Sequence, residues 1–243
     1  MPTIKPAKVP ETGGGTKPFS LVPALAQQQM YKALAALKSA KLSSANGAEV
    51  AEIAICLALG KHDPVILASA ASGARTVRKG GKVIGGKLAE AHGGILVAAT
   101  VAAVGALLGD AKATALVCAG RLDGEQAASE DYRRAFGFAA RHKLPILYLV
   151  ANNLSQGRSL ARKDTQELDL RTLYAEVGMP VFSLDANDAI AAYRVATEAL
   201  HNARHLRGPC VVEALTIDGK GKSAASPLDL LREYMERHGN RPL

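Results

Sequence analysis

The sequence contains no tryptophan, and its rings are limited to four phenylalanines and six tyrosines. Alanine, leucine and valine must then fill the interior, which suits helices packed closely on a sheet. Cysteine is also scarce: Cys56, Cys118 and Cys210 form an odd set with no Cys-x-x-Cys pair. Each sits in an apolar run (AICLALG, ALVCAG, GPCVVEA), so buried reduced thiols are expected. That excludes a disulfide-stapled scaffold and points to a cytoplasmic protein. The longest apolar run, Ile95–Leu108, is too short to span a bilayer and reads as a buried helix, so no membrane contact is expected. The amino-terminal MPTIKPAKVPETGGGTKPFS has no apolar core of a signal peptide and reads as a flexible arm over residues 1–19. No G-x-S-x-G, no phosphate-binding P-loop and no dinucleotide G-x-G-x-x-G follows a strand.

The chain has 243 residues, 48% of them hydrophobic, which suits one domain over residues 20–243 after the arm. The net charge is +8 and is unevenly spread. The stretch ASGARTVRKGGKVIGGKLAEAH, residues 71–92, sets Arg75, Arg78, Lys79, Lys82 and Lys87 against one acid, Glu90. A glycine-rich basic loop is suited to phosphate groups. No aromatic residue interleaves these charges, so nucleic acid is not the expected partner.

Periodicity predicts a helix over PALAQQQMYKALAALKSAKL, then a second over GAEVAEIAICLALG closed by Gly60 as its cap. PVILAS reads as a buried strand, the basic loop follows, and HGGILVAATVAAVGALLG reads as a buried helix in which Gly105 and Gly109 permit close packing. Then come strand ATALVCAG, turn RLDGEQ, helix SEDYRRAFGFAARHK capped by Ser129, and strand PILYLVANN. After a polar loop, helix LDLRTLYAEVG ends at Gly178. Strand PVFSLD, a turn over Asp185 to Asp188, and helix AIAAYRVATEALHNARHLR follow. Strand CVVEALTI and helix PLDLLREYMERHG complete the order. Strands alternating with helices predict an α/β fold, a doubly wound parallel sheet flanked by helices. Ligands of such sheets lie at the carboxyl ends of the strands, here Gly120–Glu125, Asn152–Ser155, Asp185–Asp188 and Asp218–Ser223. His201 and His205 stand four apart on a helix, a metal-capable spacing with no third ligand nearby; a polar helix face is the plainer reading.

The run from LDGEQAASEDYRRAFGFAARHKLPILYLVANN through YAEVGMPVFSLDANDAIAAYRVATEAL to GPCVVEALT resembles the alpha subunit, or E1 component, of thiamine-diphosphate-dependent 2-oxo acid dehydrogenases of the pyruvate or branched-chain type. The likeness is good from Ala113 to Thr216 and patchier upstream, where NGAEVAEIAICLAL resembles the family's G-Q-E-A helix opening. The resemblance implies the thiamine diphosphate-binding fold and a domain of the diphosphate-binding type. It also implies thiamine diphosphate and Mg²⁺ as cofactors. The family's signature is G-D-G, a helix, a strand, then N-N. The Asp and the second Asn give oxygen to Mg²⁺, and a carbonyl two residues later gives a third ligand, as a hard cation requires. Carried over, the metal ligands are Asp123, Asn153 and the carbonyl of Ser155. Gly120 and Gly124 are the glycines that let backbone approach the diphosphate. A match made on D-G selects Asp123, about one residue further from Asn153 than is usual. A match made on the strand end puts Gly120 at the first glycine and Arg121 at the Asp. Both remain open on sequence.

Other positions of the family pattern are changed. Its Tyr- or His-Arg pair on the diphosphate falls at Ser69 and Ala70, and a following His falls at Ser72. Arg75, with Arg78 behind it, lies a few residues on and is the candidate replacement cation for the diphosphate. The family's Tyr-Arg-x-x-Gly-His-Ser loop reads Ile217-Asp218-Gly219-Lys220-Gly221-Lys222-Ser223, so Lys222 replaces the catalytic His. The resemblance implies oxidative decarboxylation of a small 2-oxo acid, with a beta-type E1 chain or a homo-oligomeric partner completing the site. Two other readings are a degenerate E1-like domain serving as a structural or interaction subunit without cofactor, and a basic nucleotide- or nucleic-acid-binding module.

Overall fold

The computed structural model describes residues 20–39, 48–60, 62–67, 77, 83–84, 104–105, 114–121, 130–153, 170–216 and 226–242. Helices α1 (Ala24–Ser39) and α2 (Glu49–Ala58) precede strands β1 (Val65–Leu67), β2 (Val83–Ile84) and β3 (Ala115–Arg121). Helix α3 (Glu130–Arg141) leads to β4 (Ile146–Asn153), and α4 (Leu170–Glu176) to β5 (Val181–Asp185). Helix α5 (Ala189–Asn202) continues into one π-helical turn, Ala203–Arg207, before β6 (Cys210–Thr216) and α6 (Pro227–Arg237). The strands form one parallel sheet in the order β2-β1-β3-β4-β6-β5. This is the doubly wound α/β sheet expected from the sequence. Among the described residues no helix is long and apolar enough to cross a membrane.

Side chains alternate across a strand, and here the alternation separates two helix layers. Leu147 and Leu149 of β4, with Cys210, Val212 and Ala214 of β6, join one core with α1, α2, α5 and α6. On the other face Tyr148 of β4 meets Phe136 of α3 edge to face at 5.0 Å, and Phe136 meets Tyr174 of α4 at 5.3 Å. Such edge-to-face pairs add about 0.5–1.5 kcal/mol beyond area burial. Burial, and then Tyr174, push the Tyr148 phenol above its ordinary pKa. Small residues do the closest packing: Ala51, Ala54, Ala192, Ala196 and Ala199 are fully buried in α2 and α5, which pack on each other as α5 packs on β5 and β6. The scarcity of rings in the sequence predicted that manner of packing.

The helix ends are set by local chemistry. Asp188 caps α5, accepting the N–H groups of Ile190 and Ala191 at 2.9 Å each. Ser226 caps α6 ahead of Pro227, the first helical residue. Gly178 closes α4 with φ +72°, as expected.

Several expectations need correction. Gly60 is not the left-handed cap of α2. That helix ends at Ala58, Leu59 turns extended, and the Gly60 N–H goes to the Asp63 carboxylate instead. Gly105 shows no close packing among the described residues: a Cβ there would meet nothing within 4 Å, and Val104 beside it is exposed. Arg121 is the last residue of β3, not the start of the turn, since pairing with β4 carries the strand on. A short strand, β2, lies within the basic segment, because Val83–Ile84 supplies two apolar residues that pair with β1. The arm (1–19), Ser129 and Gly109 lie outside the described residues.

Candidate functional site

All the strands run the same way, so their carboxyl ends share one rim. The chain leaves β1 toward β2 on one side and leaves β3 toward β4 on the other. The connections therefore diverge between β1 and β3, the kind of switch point at which ligands of doubly wound sheets bind. Ser69 follows the end of β1 by two positions, Asp123 follows the end of β3 by two, and Ser155 follows the end of β4 by two. The Ile217–Ser223 segment directly follows β6. These are four consecutive strands of the sheet. The topology thus sets the strand ends from which four sequence-distant segments leave side by side along one rim. Of the positions singled out, Gly120 and Asn153 are described in backbone. Ser69, Arg75, Asp123, Gly124, Ser155 and Lys222 lie outside the described residues.

Gly120 pairs with Val150 and Arg121 with Ala151, while Asn153 pairs on its other side with Thr216 of β6. Asn153 thus ends a central strand, with β3 and β6 on either hand. The register between β3 and β4 slips between Cys118 and Gly120, leaving Ala119 as one extra residue. Such a bulge in a parallel pair is rare and re-aims the strand end beyond it. No sequence signal other than the small-residue run Cys118-Ala119-Gly120 announced it.

The remaining rim segment expected from the sequence, Asp185–Asp188 at the end of β5, is occupied with structure. Asp185 Oδ1 accepts the Asn187 N–H at 2.9 Å, and Asp188 caps α5. It also lies at the end of the edge strand β5, beyond β6. His201 and His205 place their rings 3.9 Å apart, and both are exposed. Among the described residues no group of three metal-ligating side chains occurs.

The amino ends of β1 and β3 are pinned by Asp63, a residue no sequence motif singled out. Asp63 is buried just before β1. Its Oδ1 accepts the Thr114 N–H at 2.7 Å, at the start of β3, and its Oδ2 accepts the Gly60 N–H at 2.6 Å. Arg204, from the π-helical turn, donates to the same Oδ2. The local signal was an Asp before a Pro-initiated apolar run, which fixes the strand start but does not reveal the partners.

The sequence model of the dehydrogenase E1 component family matches residues 38–227. The chain belongs to the dehydrogenase E1 component family. Among curated relatives, pyruvate dehydrogenase E1 component subunit alpha of Rhizobium meliloti is 35% identical over 94 residues, covering 38% of this chain and 27% of the relative. The chloroplastic subunit alpha-3 of Arabidopsis thaliana is 38% identical over 100 residues, 41% of this chain and 23% of the relative. The subunit alpha of Acholeplasma laidlawii is 30% identical over 117 residues, 48% of this chain and 34% of the relative. The chain thus spans only about a quarter to a third of these relatives. A solved structure of a thiamin diphosphate-dependent enzyme from Mycobacterium smegmatis superposes with TM-score 0.50 at 18% identity, over 69% of this chain and 31% of that one. That likeness concerns the fold, and this E1-family chain shares it.

Proposed function

We propose that this chain is the alpha-type, diphosphate-binding subunit of a 2-oxo acid dehydrogenase E1, active only beside a beta-type partner chain. One observation carries the reading: the carboxyl ends of β3 and β4 lie side by side at the rim, next to the switch point between β1 and β3. The bulge at Ala119 bears on which acid serves there. Arg121 pairs with Ala151, so Asp123 and Asn153 each stand two positions beyond a paired residue. Without the extra residue, Asp123 would count one position past Asn153. By register count the bulge sets Asp123 level with Asn153, which supports Asp123 rather than Arg121 at the family's Asp position. Asp123, Asn153 and the Ser155 carbonyl form an all-oxygen donor set, which fits Mg²⁺. Gly120 and Gly124 leave room for backbone to approach a diphosphate.

Bound thiamine diphosphate supplies the electron sink for loss of CO₂ from a 2-oxo acid. This chain would hold the diphosphate through its metal, through Arg75 and through N–H groups near Ser69. Lys222 would bring a cation to the loop in place of the family's histidine. Residues 20–243 act as one domain in this reading, in the cytoplasm. A second reading, a cofactor-free structural subunit, is favoured by the changed positions Ser69, Ala70, Asp218 and Lys222. A guanidinium fork on phosphate has no substitute in alanine.

Titration calorimetry with thiamine diphosphate and Mg²⁺ separates the two. Metal-dependent binding, weakened about tenfold or more by Asn153→Ala or Asp123→Ala, supports the first. No heat at millimolar cofactor, with the beta-type chain present, establishes the second.

A further inference from the structure

The outer face of α3 is basic and carries a large apolar ring. Phe136 and Ala139 turn inward, while Arg133, Arg134, Phe138, Arg141 and His142 are exposed, followed by exposed Lys143. From residue 133 to 143 there are four permanent cations and no acid; both acids of the helix, Glu130 and Asp131, stand in its first turn. Arg134, Phe138 and Arg141 follow one another at the four- and three-residue spacings that share a helix face. Phe138 is 46% exposed and lies on the His142 ring at 4.4 Å. The single ion pair of the described face, Arg134 with Glu130 at 3.0 Å, joins side chains 74% and 71% exposed and holds little energy.

We propose that this face docks an acidic protein segment, an amphipathic helix that sets an aliphatic residue against Phe138 and carboxylates against Arg134 and Arg141. Aromatic and arginine side chains are the residues that anchor protein interfaces, with charge around them setting orientation. A second copy of this chain would bring the same basic face, and its net charge of +8 opposes that pairing. Single-stranded nucleic acid needs successive free rings for stacking, whereas among the described residues of this face Phe138 is the single apolar ring, and it lies against His142. The inference is independent of the cofactor reading, because it concerns the outer flank of α3 and not the strand rim.

The test uses the full chain and a labelled synthetic helical peptide with leucines four apart among glutamates. Fluorescence anisotropy should show saturable binding that weakens about tenfold in Phe138→Ser and at least as much in the pair Arg134→Glu with Arg141→Glu. Phe138→Tyr should retain it. A lysine-for-glutamate peptide should bind the charge-reversed pair and not the parent. Arg237→Glu, on α6, should change nothing. Equal binding by Phe138→Ser and the parent overturns the proposal, and so does equal weakening by Arg237→Glu. Tighter, Phe138-dependent binding of a single-stranded oligonucleotide overturns the partner class. Melting curves of each variant separate lost binding from lost fold, since all these positions are exposed.

Discussion

Replacing Asp63 tests how the two strands beside the switch point are held. Asp63 is 3% exposed and accepts two backbone N–H groups while pairing with Arg204. Asp63→Ala removes the acceptor from the buried Thr114 N–H and the part-buried Gly60 N–H, and leaves Arg204 without its counter-ion. A hydrogen bond to a charged group contributes about 1.5–3 kcal/mol, and breaking a buried ion pair costs about 3–5 kcal/mol. These contributions overlap, and the Arg204 side chain, 30% exposed, regains water. The expected loss is therefore about 3–4 kcal/mol, the lower part of the range. For a chain of this size that lowers Tm by on the order of 10 °C. Asp63→Asn keeps one oxygen and loses the charge, so about half the loss is expected. Urea and thermal melts followed by circular dichroism measure both, and a double-mutant cycle with Arg204→Met isolates the pair. The reasoning fails if Asp63→Ala costs less than about 1 kcal/mol, because the carboxylate would then not be holding β1 and β3 together.

Asp188→Ala frees two N–H groups at the start of α5 and should cost about 1–2 kcal/mol in urea melts. Gly178→Ala places a Cβ at φ +72° and should destabilise by about 1 kcal/mol, measured in the same way. Burial pushes the Cys210 thiol up to about 12, so at mild alkaline pH it should stay unlabelled by thiol reagents until the chain unfolds. The Ser226 hydroxyl holds the Asp229 carboxyl below its ordinary value of 3.8. A lowered folded pKa gives stability that is present above the unfolded pKa and lost as pH falls through the folded one. Ser226→Ala should therefore flatten the acid side of a Tm-against-pH curve, and an unchanged slope between about pH 5 and pH 3 would count against the bond.

The relation between sequence and structure differs from element to element. β4 and β6 were legible because PILYLVANN and CVVEALTI are continuous apolar runs, and central parallel strands are buried on both faces. α5 was legible through Asp188 and the small-residue period, though its final turn became π-helical, a change that no local residue preference announces. β2 was missed because two apolar residues inside a basic, glycine-rich stretch carry no period. Gly60 was misread because a glycine after a helical pattern fits a cap, whereas here its N–H is claimed by a carboxylate three residues on.

By itself the sequence determined the order of the described elements other than β2, the burial of Cys56 and Cys210, the small-residue core and the family, since these rest on local periodicity and on motifs contiguous in the chain. The tertiary structure alone decided that β6 inserts between β4 and β5. It alone placed an extra residue at Ala119 and set Asp63 to join Gly60, Thr114 and Arg204. Strand order, register slips and buried charge partners depend on contacts between residues far apart in the chain. No local pattern encodes those contacts, because their free energy arises only when the separate segments meet.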